Sequence, residues 1–294
     1  MSDLFKPLTL PCKHVIPNRI AKGAMEENMA DQTGLPEGVG QIPGERLVNL
    51  YSAWADGGAG MLITGNVMVD ERALTGPGAV VLKADTLDKP DVRARFERWA
   101  QAGKRGGTSL IMQISHPGRQ LYAAQGVEAV SASDSQLDMG SETLSNLFAH
   151  ARAMTDGEIR GMIRRFGETI GEALCLLGFN LDFAPVLDLT TNVSGLPLGS
   201  RTFAADADTV TDLAGAFIDG LVRQKILPCG KHFPGLGSAA DDTHFSLPIV
   251  DKSMARLWLE DLLPYRQLAA KLPMVLVSHA SYKAYDDPST LPAS

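Results

Sequence analysis

Short apolar runs alternate with longer amphipathic stretches along most of the 294 residues, and this alternation restricts the fold more than any other feature. The runs cover residues 19–25, 60–64, 109–115, 181–186, 226–231 and 273–278, each bounded by Gly, Pro or polar turns, as buried parallel strands are. Between them, Leu47, Leu50, Tyr51 and Trp54 recur at helical spacing, as do Ile159, Ile163, Phe166 and Ile170, and then Leu213, Phe217 and Leu221. Thr155 and Glu158 form a T-x-x-E capping box that predicts a helix start. Residues 7–17 have the form of a small hairpin that plugs a barrel floor rather than joining its wall.

Regular strand–helix alternation implies right-handed βαβ units and a parallel sheet. The predicted fold class is therefore α/β, a TIM-barrel-like (βα) parallel barrel. A closed barrel of that class has eight strands. Six are recognisable here, so incomplete or rearranged closure is expected. Chemistry in such barrels sits where the strands end. Those ends carry Met25 and Glu26, Asn66, Gln113 to His116, Asp188, Lys231 and His232, and His279.

Composition excludes some classes of partner. With 45% hydrophobic and 21% charged residues, the chain can bury a large core. A net charge of -7 without a Lys/Arg run argues against nucleic acid and anionic membranes. Three scattered cysteines, Cys12, Cys175 and Cys229, lack metal-ligand spacing, and no metal site is expected. Their sparse, odd count suits a reducing cytoplasmic location. The N-terminus lacks a signal-peptide pattern, and no apolar run is long enough to cross a membrane.

The front of the chain carries a specific set of motifs: Asn18-Arg19-Ile20, Ala24-Met25-Glu26, the stretch from Gly58 to Asn66, and Gln113-Ile-Ser-His-Pro-Gly-Arg119. Over about residues 1–167 it resembles the old yellow enzyme family of FMN-dependent NADH:flavin oxidoreductases. That resemblance implies flavin-ring contacts at Ala24, Met25, Asn66 and Gln113. An amide suits the role because it both donates and accepts against a uracil-like edge. On residue type alone, Gln113 could equally be a buried amide satisfied by backbone. Arg119 suits either an anion or a surface carboxylate, and a structural role is favoured for it and for His116. At the fourth strand the family's His pair is absent; the sequence reads Phe183-Ala-Pro-Val-Leu-Asp188. The family's phosphate-binding strands, the seventh and eighth, have no candidates, so FMN would be held weakly.

Towards the C-terminus the motifs change. Gly178 to Asp188, Gly199 to Phe203, Gly230-Lys-His-Phe-Pro-Gly235, Asp242-Thr-His244 and Val277-Ser-His279 resemble glycoside hydrolase family 3, in its bacterial β-N-acetylglucosaminidase branch. The resemblance implies that His244 is the general acid/base, aided by Asp242, which can hold the imidazole tautomer and raise its basicity. It assigns Arg201, Lys231 and His232 to sugar hydroxyls. A retaining glycosidase also needs a carboxylate nucleophile. The family places it on a seventh strand, and Asp188, Asp286 and Asp287 do not occupy its motif.

The two resemblances meet in register near residues 167–171. One merged domain is expected, with portions 1–167 and 168–294. The expected molecule is a hybrid barrel without full catalytic activity. A residual FMN-binding, flavin-oxidoreductase-like site is the first enzymatic reading, and a β-N-acetylhexosaminidase-like hydrolase is the alternative. The expected small-molecule partners are a flavin or an amino sugar. Open barrel edges predict self-association.

Overall fold

The computed structural model describes residues 3–10, 13–32, 41–190, 198, 201–239 and 247–285. The chain forms two compact units, Met1–Thr155 and Asp156–Ser294.

Unit 1 is built on three parallel strands, β1 (Ala21–Lys22), β2 (Met61–Met68) and β3 (Ser109–Ser115). β2 is central, with Ala21 opposite Met61 on one side and Met61 opposite Ser109 on the other. Helix α1 (Glu45–Asp56) connects β1 to β2, and α2 (Pro90–Gly103) connects β2 to β3. Both are amphipathic. α1 buries Leu47, Tyr51 and Ala55, while α2 starts at Pro90, where proline's missing N–H costs nothing, and buries Val92, Phe96 and Trp99. Tyr51 meets Trp99 edge-on at 5.2 Å, joining the helices. The sequence-predicted hairpin forms, with Leu8–Thr9 antiparallel to Val15–Ile16. After β3 the chain leaves the sheet, and Ala129–Ser131 pairs in parallel with Ala151–Ala153. That excursion has no periodic signature in the sequence.

Unit 2 repeats the βα pattern. Helix α3 (Asp156–Leu176) leads to β4 (Leu181–Asp182), α4 (Ala207–Arg223), β5 (Leu227–Phe233), two short helices α5 (Met254–Leu259) and α6 (Leu263–Leu268), and β6 (Met274–Val277). The sheet order is β4-β5-β6, all parallel. Its core gathers Leu187, Leu189, Val210, Ala214, Ile218, Tyr265 and Leu268. The side chain of Asp206 caps α4 by accepting from the Thr209 N–H.

These strands lie in separate sheets, and no closed barrel forms among the described residues. Helix α3 also differs from its sequence reading. Its apolar stripe of Ile159, Ile163, Phe166 and Ile170 is only half-buried. The fully buried face carries Gly167, Glu168, Thr169, Gly171 and Glu172. A Cβ built on Gly167 would lie 2.5 Å from the Phe217 carbonyl oxygen, and one on Gly220 would lie 2.3 Å from that of Arg164. α3 and α4 therefore touch backbone to backbone, which only glycine permits. The buried Glu168 accepts from Arg223 at 2.8 Å beside this contact. Among the described residues, no helix is long and apolar enough to cross a membrane, and no His/Cys/Asp/Glu group could hold a metal ion.

Candidate functional site

In unit 1 the strand ends converge as the βα pattern requires. Asn66 on β2 stands in register with Gln113 on β3. The register shifts between Ile63 and Asn66, and this bulge re-aims the end of β2. The Thr64 hydroxyl accepts from the Gln113 backbone N–H at 2.9 Å and donates to the Gly65 carbonyl at 2.7 Å. Gly65 has no room for a side chain, because a Cβ there would sit 2.4 Å from the Met25 carbonyl oxygen.

The side chains at these ends form one hydrogen-bonded row. Thr75 Oγ1 donates to Glu26 Oε2 at 2.6 Å, and Asn66 Nδ2 donates to the same oxygen at 2.9 Å. Gln113 Nε2 then donates to Asn66 Oδ1 at 2.7 Å. Asn66 and Gln113 are half-buried, and Ala24, Met25 and Glu26 are exposed beside them. Of the four positions assigned to flavin, Asn66 and Gln113 are thus joined directly. Ala24 and Met25 contribute backbone and an exposed thioether at the same strand end. The Gln113 side chain pairs with another side chain, not with the backbone considered as its alternative. Sequence reasoning assigned no role to Glu26 or Thr75. The signal available for Glu26 was a carboxylate placed directly after the Ala24-Met25 strand end.

Unit 1 holds a second polar group that the sequence did not reveal. Lys22 Nζ donates to Glu27 Oε1 at 3.0 Å and to the Ile63 carbonyl at 2.8 Å, and it sits 4.3 Å from the Trp54 ring centre. The Tyr51 hydroxyl donates to the same Glu27 oxygen at 2.7 Å. Burial, and then Glu27, raise the Tyr51 phenol far above its ordinary value. This group ties β1 to α1 and β2. His116 accepts the Gly118 N–H through Nδ1 at 3.2 Å, a turn-closing role, and Arg119 is exposed on the following turn.

In unit 2 the centre is Asp188, whose side chain is fully buried. It accepts from the backbone N–H of Leu236 at 2.7 Å, from that of His232 at 3.2 Å, and from His232 Nδ1 at 2.7 Å. A carboxylate only accepts, so His232 donates to it through Nδ1. Lys231, half-buried on β5, bridges to Val186 on the neighbouring segment. Its charge acts on two neighbours. Burial raises the Asp182 carboxyl and Lys231 opposes that, while burial raises the Cys229 thiol against the same cation. Tyr265 packs edge-on against Phe233 at 5.2 Å, and burial with the Asp188 charge pushes its phenol upward. The Tyr282 hydroxyl, 2.5 Å from Ser278 Oγ, donates to the Gly235 carbonyl at 3.0 Å and fixes the loop after β5. Arg201 is exposed, with Nε donating to the Leu198 carbonyl at 3.2 Å. The structure joins Lys231 and His232 on one strand end. Asp242 and His244, the acid/base pair implied by resemblance, lie outside the described residues, as do Asp286 and Asp287.

Comparison with known proteins finds two families along the chain. Residues 3–178 match the model of the NADH:flavin oxidoreductase / NADH oxidase family. Residues 125–294 match that of the glycosyl hydrolase family 3 N terminal domain. The two matches overlap across the excursion after β3 and all of α3. An NADH-dependent flavin oxidoreductase, nadA, of Aspergillus parasiticus is 35% identical over 166 residues, covering 56% of this chain and 37% of its own. A beta-hexosaminidase of Tolumonas auensis is 41% identical over 112 residues, covering 37% of this chain and 32% of its own. The chain thus spans a third to two fifths of the length of these curated relatives. Among solved structures, the old yellow enzyme homologue from Zymomonas mobilis aligns at a TM-score of 0.48 with 18% identity, covering 78% of this chain and 63% of that one.

Proposed function

Because the chain belongs to the NADH:flavin oxidoreductase family over residues 3–178 and to the glycosyl hydrolase family 3 N-terminal domain family over residues 125–294, we propose that it is a hybrid of two barrel ancestors whose primary capacity is binding a flavin ring edge in unit 1. The observation that carries this reading is the row Thr75–Glu26–Asn66–Gln113 across the ends of three adjacent parallel strands. It places amide donors and acceptors where an imide edge can meet them, with Ala24 and Met25 beside it. FMN is the proposed cofactor, held weakly, and binding rather than turnover is the proposed function. The fourth strand continues into Asp188, a glycosidase-type position, where the flavin family's His pair would stand. Titration with FMN, followed by the visible flavin bands, is expected to show saturable binding that Gln113→Ala weakens about tenfold, the worth of one good hydrogen bond. Unchanged flavin spectra at high protein concentration would remove the reading.

A second reading rests on a different observation, the Asp188–His232 pair beside Lys231. A locked imidazole and a cation at one strand end suit the hydroxyls of an amino sugar. In this reading Arg201 also contributes, and Asp242 and His244 supply the acid/base function. Release of nitrophenol from an aryl N-acetylglucosaminide, lost in His244→Ala, is its expected signature. No release at high enzyme concentration counts against it. We further propose that the chain pairs with copies of itself through open strand edges.

A further inference from the structure

We propose that Glu26 is a positioning residue that sets which end of the Gln113 amide meets the ligand. The inference rests on the flavin reading of unit 1 and adds a direction to it. An amide side chain can turn over, exchanging its donor and acceptor with little change of shape, so a row of two amides has two nearly equivalent orders. An ionised carboxylate has no such choice, because it only accepts. Glu26 Oε2 receives Asn66 Nδ2 at 2.9 Å, which turns Asn66 Oδ1 toward β3. Gln113 must then donate, and it does so at 2.7 Å through Nε2. Its Oε1 is left on the far side as an acceptor, receiving no hydrogen bond from the described residues. Thr75 Oγ1, donating to the same Glu26 oxygen at 2.6 Å, holds the carboxylate in place without altering this order. Removing the negative charge frees the row to turn over and makes Gln113 indifferent to the ligand's polarity.

A fixed acceptor selects a ligand edge that presents an N–H. The ring N3–H of a flavin does so, and an N3-methylated flavin does not. The experiment measures dissociation constants for lumiflavin and 3-methyllumiflavin, which carry no phosphate, by fluorescence quenching on the full chain. The wild type is expected to favour lumiflavin by about tenfold, one hydrogen bond's worth. Glu26→Gln, which can donate or accept, is expected to bring that ratio close to one. The double variant Glu26→Gln with Asn66→Asp moves the acceptor-only group next to Gln113 and is expected to restore the ratio, an outcome that a merely structural role for Glu26 would not produce. A Glu26→Gln variant that discriminates like the wild type, or that binds neither flavin, overturns the assignment. So does a double variant that stays at the single variant's ratio. A wild type that binds both flavins equally overturns the Glu26 assignment alone. A wild type that binds neither overturns the flavin reading and this inference with it.

Discussion

Three donors converge on the carboxylate of Asp188: the backbone N–H groups of His232 and Leu236, and the His232 ring. An Asn at this position keeps the shape but turns an NH2 group toward at least one of those donors. Asp188→Asn is therefore expected to destabilise the chain by about 2–4 kcal/mol, as charge-assisted buried bonds do when one partner is lost. Urea unfolding of the variant beside the wild type measures this, and equal midpoints would show that the buried carboxylate is not needed. A second carboxylate gives a pH test. Asp182 is raised above the ordinary carboxylate range, first by burial and with Lys231 pulling the other way. A raised native value means that the folded chain holds that proton more tightly than the unfolded chain does. The resulting stability is complete below the unfolded carboxylate's value of about 4 and is lost as the pH climbs through the native value. Asp182→Asn is expected to flatten that part of the stability profile, and Lys231→Met to extend it to higher pH. Identical profiles for wild type and Asp182→Asn would contradict the assignment.

Helix α3 shows what residue patterns leave out at the scale of elements. Its apolar stripe predicts the wrong buried face, because the contact between α3 and α4 is made by Gly167 and Gly220 against backbone. Gly220→Ala is expected to cost about 2–3 kcal/mol, since a Cβ 2.3 Å from a carbonyl oxygen forces the helices apart. Gly161→Ala on the same helix meets nothing within 4 Å and is expected to gain up to about 1 kcal/mol in helix propensity. Opposite signs in the two urea midpoints test the contact against a general intolerance of α3. The parallel strands were legible because apolar runs between turn residues survive in any βα unit. The residues beyond β3 were not, since short pairs such as Ala129–Ser131 with Ala151–Ala153 are set by long-range register rather than local pattern. Asn66 and Gln113, the positions that the resemblance assigns to a flavin, were legible from motif, but the hydrogen bond from Asn66 to Glu26 was not, because the bulge between Ile63 and Asn66 has no sequence signature. Lys231 and His232, which the other resemblance assigns to a sugar, were legible as strand-end residues in the same way. The Asp188 carboxylate that locks His232 was noted only as a strand-end residue that failed to match a nucleophile.

At the scale of the whole molecule, the proposed self-association rests on a strand edge in unit 2. In unit 2, β6 pairs with β5 on one side, and all four of its residues, Met274 to Val277, are 37–54% exposed. Edge strands in soluble proteins are usually guarded by a Lys, a Pro or a bulge within the strand. β6 has none, since its sequence is Met-Val-Leu-Val. A net charge of -7 spread over 294 residues offers little repulsion against pairing. The chain is accordingly expected to self-associate as its concentration rises, with β6 of one copy meeting a strand edge of another. Light scattering after size exclusion is expected to give a mass above that of a single chain, increasing with loading. Val275→Lys combined with Val277→Lys puts charge on the exposed strand without touching the buried core of Leu187, Ile218 and Tyr265, and is expected to return the mass to one chain. A wild type that stays monodisperse at single-chain mass across the range would show that the edge is harmless. A double-lysine variant that still assembles would place the contact elsewhere.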